Sequence, residues 1–242
     1  MARLKNKVAV VLGASSIEGL GGVIAKTYAN EGANVVVSGR RQEPLDQLAK
    51  DINGTAQVCD ITKDGDVENL FKVAKDTYGK VHIAINTTGI YEPGPLNELS
   101  RDHLRKYSEV SFIGPVIFIR EAAEIMEEGG SIISTTSVTV ELSAVGLAGY
   151  VGTKAGTDKV IQVAAKEYQH NININEQESD DLLFYKSIIL DSKKFFVTSH
   201  KIRKNKLVYD MNEILKMFNY PNMPNVSEVN KTTKGILKKY YT

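Results

Sequence analysis

Over the first 137 positions, short apolar runs dominated by β-branched residues alternate with longer stretches whose apolar residues recur every three or four places. The runs read KVAVVLG at 7–13, ANVVVSG at 33–39, AQVCD at 56–60, VHIAIN at 81–86 and GSIISTTS at 130–137. The stretches between them predict helices near 20–31, 42–50 and 64–78, and a longer helical region near 100–128, because such spacing lines one face of a helix. Strands this uniformly apolar are buried on both faces, and their alternation with helices implies right-handed βαβ units. The pattern predicts an α/β protein with a doubly wound parallel sheet in three layers, α/β/α.

The pattern changes after residue 156. Of the 19 glycines, 18 lie at or before Gly156 and only Gly235 follows, while residues 171–242 contain no alanine. That tail is rich in Lys and Asn, with twelve basic residues against eight acidic. Apolar clusters such as LLFYKSIIL and NEILKMF argue against full disorder. Two regions are expected: a core over 1–175 and an atypical segment over 176–242.

Charge narrows the function classes. Thirty basic and 29 acidic residues leave a formal net charge of +1, so no global field favours nucleic acid or an anionic membrane, and recognition is local. The basic excess of the tail reads as solvated surface rather than a nucleic-acid patch. No apolar segment approaches the ~20 residues that a membrane span needs. The opening MARLKNKVAVVLGASS could begin a signal peptide, but its short apolar run ends in a glycine turn and reads better as a buried strand entering a loop. A single cysteine, Cys59, cannot form an internal disulfide, which fits a reducing compartment. A cytoplasmic location is expected, and no metal site.

The chemistry-bearing motifs follow the strands. GASSIEGLG at 13–21 joins the first strand to a helix. There Gly13, Gly19 and Gly21 allow a tight turn and close backbone approach, and free N–H groups at the helix start can face a pyrophosphate. Ser15 belongs to the same loop. In this βαβ setting the loop points to a dinucleotide; alone it would be an ordinary strand-to-helix connection. After the second strand the chain reads SGRR, where a carboxylate would suit an unphosphorylated ribose and an arginine a 2′-phosphate. Arg40, with Arg41 in reserve, therefore favours NADP(H), with NAD(H) the alternative; a solvent-facing arginine at a strand end is the structural reading. Asp60, followed by Ile61, ends the third strand, where its carboxylate could accept from an adenine amino group or cap a helix.

In GYVGTKAG at 149–156, Tyr150 and Lys154 are four residues apart in a setting of small residues. On a helix they share one face. The pair is either surface decoration or an acid and the cation that tunes it.

Taken with CDI at 59–61, NTTG at 86–89 and STTS at 134–137, these motifs make the chain resemble a short-chain dehydrogenase/reductase over roughly residues 5–175. The most specific element is the thirteen-residue interval from Ser137 to Tyr150 combined with Lys154 four further on. The resemblance implies a Rossmann fold and transfer of a hydride between a nicotinamide and a carbonyl or alcohol. Tyr150 would be the general acid/base, Ser137 the donor to the substrate oxygen, and Lys154 the cation that acidifies Tyr150 and holds the nicotinamide ribose. A phenol of pKa about 10 would have to fall by about 3 units, roughly 4 kcal/mol. Asn86 would support the fourth strand, or serve as a structural turn residue, and Gly89 would let the backbone pass close to the cofactor. The implied partner is a small carbonyl or alcohol, and relatives of this kind are usually homodimers or homotetramers.

Three departures from the family pattern are visible. Two extra residues separate Gly13 from Gly19. That widened loop is reminiscent of the enoyl reductases, but the position of their tyrosine holds Leu147. Ser111 stands where the family has an asparagine that holds a water linking the lysine to solvent. NININ at 171–175 resembles the start of a sixth strand, yet the Pro-Gly turn, substrate loop and Gly-rich last strand do not follow, which suggests a segment of different origin, by fusion or a shifted reading frame. A non-catalytic dinucleotide-binding relative, a sensor or scaffold, is the alternative function.

Overall fold

The computed structural model describes residues 2–126, 130–137, 139–142 and 145–168, together with three strands between 183 and 208. The boundary expected at 175/176, the NININ stretch and residues 209–242 lie outside the described residues.

Five of the apolar runs form one parallel sheet: β1 (Val8–Leu12), β2 (Asn34–Gly39), β3 (Thr55–Val58), β4 (Ile83–Asn86) and β5 (Ser131–Ser134), in the order β3-β2-β1-β4-β5. The direction of winding reverses between β1 and β4, so the carboxyl ends of these two strands open the crevice in which doubly wound folds bind ligands. The register places Ser38 and Asn86 on either side of Leu12, and Ser134 beside Asn86. The residues that follow these strands therefore line that edge.

Helices α1 (Leu20–Asn30) and α2 (Gln42–Ile52) cover one face, and α3 (Asp66–Tyr78) and α5 (Gly114–Ile125) the other. Strand alternation explains the two cores. Val10, Leu12 and Val36 point to Leu70, Phe71 and Phe118, while Val11, Val35 and Val37 point to Ala25, Leu45 and Leu48. Each fully buried Val, Leu or Phe contributes roughly 1.5–3 kcal/mol. The expectation of uniform burial holds for β1, which is buried throughout, but not for β3, whose four residues are half-buried. β3 is an edge strand, with one side open to solvent.

The long helical region expected at 100–128 is three pieces: α4 (Arg101–Ser108), a π turn (Glu109–Ile113) and α5. Pro115 is the cause, because it has no N–H for the carbonyl four residues back and forces the local geometry to change. After the short α6 (Thr139–Leu142) comes α7 (Ala148–Glu167). Residues 183–190 of the LLFYKSIIL cluster fall in β6 (Leu183–Asp191), which pairs antiparallel with β7 (Lys194–Arg203), itself paired with β8 (Lys206–Val208). No helix among the described residues is long and apolar enough to cross a membrane.

Candidate active site

The small residues of GYVGTKAG let α7 approach the α4–π segment. A Cβ at Gly149 would lie 2.8 Å from the Tyr107 ring, and one at Gly156 3.0 Å from Phe112. This contact turns Lys154, Thr157 and Asp158 inward. Thr157 Oγ1 then donates to the Ser111 carbonyl at 2.6 Å. That carbonyl is the acceptor Pro115 cannot use.

Lys154 is 3% exposed, and its Nζ donates to the carbonyls of Thr135 at 2.9 Å and Thr88 at 3.3 Å, just past the ends of β5 and β4. Burial pushes its pKa down to about 8. Asn86 builds one of these anchors. Its Oδ1 accepts from the Thr88 amide and hydroxyl at 2.9 and 2.8 Å, and its Nδ2 donates to Ser134 Oγ at 3.4 Å. These bonds fit both roles open to Asn86, support of the fourth strand and a structural turn. Gly89 lies beside the same amine, with the position of an added Cβ 3.5 Å from Nζ.

Tyr150 is half-buried one turn before Lys154, its ring edge-on to Tyr91 with centroids 5.5 Å apart. Burial raises the phenol above its ordinary value, the Ser137 hydroxyl donating toward it pulls it back, and Tyr91 and Tyr107 add smaller upward pushes. The Lys154 ammonium, for its part, is directed at two backbone carbonyls. Ser137 is 9% exposed at the end of the β5 segment. Ser111 is fully buried, and its Oγ has no hydrogen-bond partner among the described residues. Such a hydroxyl suits a bridging water, because an unsatisfied buried group costs about 1–3 kcal/mol.

At the other end of the crevice, Gly13 has φ +98° and sits so close to the segment after β4 that a Cβ would meet Thr87 Oγ1 at 2.3 Å. Gly19 caps α1 without a side-chain bond, and the first turn of α1 holds no acidic residue, so its amides and positive dipole end face the loop uncompensated. A Cβ at Gly21 would strike the Gly13 carbonyl at 2.6 Å, which makes this glycine a packing requirement of the widened loop. Ser15 holds the loop to the end of β2: its Oγ accepts from the Arg41 amide at 3.2 Å and its carbonyl from Arg41 Nη2 at 2.7 Å. Arg41, the reserve arginine, thus has a structural job, while Arg40 is exposed with its charge acting on Asp60. Burial pushes the Asp60 carboxyl up, but the Thr62 amide and hydroxyl, with Arg40, more than offset this and hold it below its usual range. Asp60 Oδ1 accepts from that amide at 3.1 Å and that hydroxyl at 2.8 Å, which braces the loop before α3. Ile61 is a core residue, 6% exposed.

A family model described as enoyl-(acyl carrier protein) reductase matches residues 13–176. Borneol dehydrogenase, mitochondrial, from Lavandula x intermedia is 33% identical over 181 residues, covering 72% of this chain and 69% of that enzyme. The chain belongs to the short-chain dehydrogenase/reductase family. An uncharacterized oxidoreductase of Methylorubrum extorquens is 31% identical over 69% of each chain. Among solved structures, a 7α-hydroxysteroid dehydrogenase complexed with NADH and 7-oxo glycochenodeoxycholic acid aligns with TM-score 0.65 and 28% identity, over 71% of this chain and 69% of that one. A short-chain dehydrogenase from Mycobacterium smegmatis, 23% identical over 70% and 73%, shares the fold with TM-score 0.67.

Four contributors to the site of this short-chain dehydrogenase/reductase escaped the sequence reading. Thr88 and Thr135 act through carbonyls, which every residue has, so no sequence signal marks them. Tyr91 and Thr139 carry one weak signal each: an aromatic two residues after NTTG, and a hydroxyl two residues after Ser137. Thr139 Oγ1 lies 2.8 Å from Ser137 Oγ.

Proposed function

We propose that this chain is a nicotinamide-dependent oxidoreductase that interconverts a small carbonyl compound and its alcohol, with Tyr150 as general acid/base. What supports the reading is the buried Lys154 amine held on the Thr88 and Thr135 carbonyls just past β4 and β5, with Tyr150 one turn before it and influenced by Ser137, together with an α1 amino terminus that has no side-chain cap and suits a pyrophosphate. When bound, the nicotinamide would supply or accept the hydride.

The residues of the chain do the rest. Two of the three Lys154 N–H donors are committed to Thr88 and Thr135, which leaves one for a ribose hydroxyl. Ser137 donates to the substrate oxygen and stabilises charge as it builds there. The Tyr150 phenol, protonated at neutral pH, would give its proton to the carbonyl oxygen. The buried Ser111 hydroxyl holds the water that returns protons toward Lys154. Arg40 reads a 2′-phosphate, so NADPH is preferred to NADH. Expectations of a cytoplasmic location and of a homodimer or homotetramer go with this reading.

A second reading, a dinucleotide binder without turnover, is favoured by one observation: Lys154 is anchored on carbonyls while burial raises the Tyr150 phenol. One experiment separates them. NADPH and NADH are titrated by fluorescence, and cofactor absorbance is then followed with a panel of ketones and alcohols for wild type and Tyr150→Phe. Tighter binding of NADPH, turnover by wild type and its loss in Tyr150→Phe with cofactor affinity retained support the oxidoreductase. Binding without turnover in either protein supports the second reading, and equal turnover in both removes Tyr150 from the mechanism.

A further inference from the structure

We propose that Thr139 is a positioning residue that fixes the Ser137 hydroxyl as a hydrogen-bond donor to the reacting oxygen. The proposal rests on the reading of Ser137 and Tyr150 as the reacting pair.

A serine hydroxyl has one proton to give and two lone pairs to fill. The Thr139 amide donates to Ser137 Oγ at 3.2 Å, which takes one lone pair. The Thr139 hydroxyl lies 2.8 Å from the same atom, and the contact can run in either direction. If Ser137 gave its proton to Thr139, nothing would remain for a substrate carbonyl, which only accepts. If Thr139 gives its proton to Ser137, both lone pairs are filled and the Ser137 proton has one direction left, toward Tyr150 and the substrate oxygen. Donation into a hydroxyl also polarises it and strengthens what it donates in turn, by about 10–30%.

Thr139 opens α6, the turn that follows the β5 segment, and as a β-branched residue it has few χ1 choices. Its hydroxyl is therefore held in place more firmly than that of a serine, and Thr is the better positioner of the two.

The test compares wild type with Thr139→Val, which keeps the shape and removes the hydroxyl, and Thr139→Ser, which restores it. NADPH titration and circular dichroism report folding. Thr139→Val is expected to lower kcat ~5–20-fold, the scale of one lost hydrogen bond, with the KM for cofactor unchanged, and Thr139→Ser to return it within about twofold. A second readout needs no turnover. Phenolate absorbance is titrated in each background and in its Tyr150→Phe partner, the difference isolating Tyr150. Tyr91 and Tyr107 face this phenol from the segment after β4 and from α4, and Lys154 lies on its own helix; all three are the same in every variant. The Tyr150 midpoint is expected to rise in Thr139→Val and to return in Thr139→Ser. Unchanged kcat and an unmoved midpoint in Thr139→Val overturn the proposal. If wild type turns over no substrate, the oxidoreductase reading fails separately and the midpoint alone decides. Should Thr139→Val not fold, Thr139→Ala takes its place with the same expected outcomes.

Discussion

Pro115 has no amide hydrogen for the Ser111 carbonyl, and Thr157 Oγ1, from a different helix, fills the vacancy at 2.6 Å. One missing donor in the α4–π–α5 segment is thereby converted into a bond that fixes α7, and with it Tyr150 and Lys154. Replacing Thr157 by Val should leave a buried carbonyl unsatisfied and cost about 1–3 kcal/mol. Pro115→Ala restores a competing N–H, so the same Thr157 change should cost less in that background. Urea denaturation of the four proteins of this cycle checks it; equal costs with and without Pro115 would break the link.

The glycines of α7 are not interchangeable. Tyr107 cannot swing away from a methyl at position 149, because its hydroxyl donates to the Glu92 carbonyl at 2.7 Å and accepts from the Glu92 amide at 2.8 Å. Gly149→Ala should therefore destabilise by roughly 1–3 kcal/mol. Gly152 has nothing within 4 Å of an added Cβ, and Gly152→Ala should stabilise by roughly 0.5–1 kcal/mol through helix propensity. Thermal melts of the two variants should move in opposite directions.

The sheet and the spacing of Ser137, Tyr150 and Lys154 were legible because both are written in short-range periodicity. Four of the five parallel strands lie within the apolar runs, β3 starts one residue ahead of its run at Thr55, and α7 carries the pair on one face. Relationships between distant segments were not legible. Lys154 and the Thr88 carbonyl are 66 positions apart, and no local pattern announces that contact. The division of labour between Arg40 and Arg41 depends on which guanidinium meets Ser15, which a dipeptide does not state. The break at the π turn had a signal, Pro115, that the helical periodicity around it concealed.

That division of labour predicts different losses at adjacent positions. Arg40 is exposed, so Arg40→Ala should weaken NADPH ~10–100-fold, the scale of a lost charge-assisted hydrogen bond, and leave NADH nearly unchanged. Arg41 holds the Ser15 carbonyl, so Arg41→Ala should loosen the loop and weaken both cofactors together. Fluorescence titrations of both cofactors against both variants read this directly; a selective NADPH loss in Arg41→Ala instead would reverse the two roles.

Lys154 ties stability to pH with a definite sign. Burial lowers its pKa from 10.5 to about 8, so between those values the unfolded chain holds a proton that the folded chain has released. Stability attributable to this group therefore rises with pH across that window, and below it the buried charge costs about 3 kcal/mol for a shift of this size. The comparison is wild type against Lys154→Met, unfolded in urea from pH 7.5 to 10. Methionine neither titrates nor donates to the Thr88 and Thr135 carbonyls, so the pH dependence of the gap reports the wild-type amine with its two bonds. The wild-type advantage should grow as pH rises from about 8 toward 10. A gap that stays flat, or narrows, would mean that the amine keeps its proton in the folded protein and that its two carbonyls offset the burial.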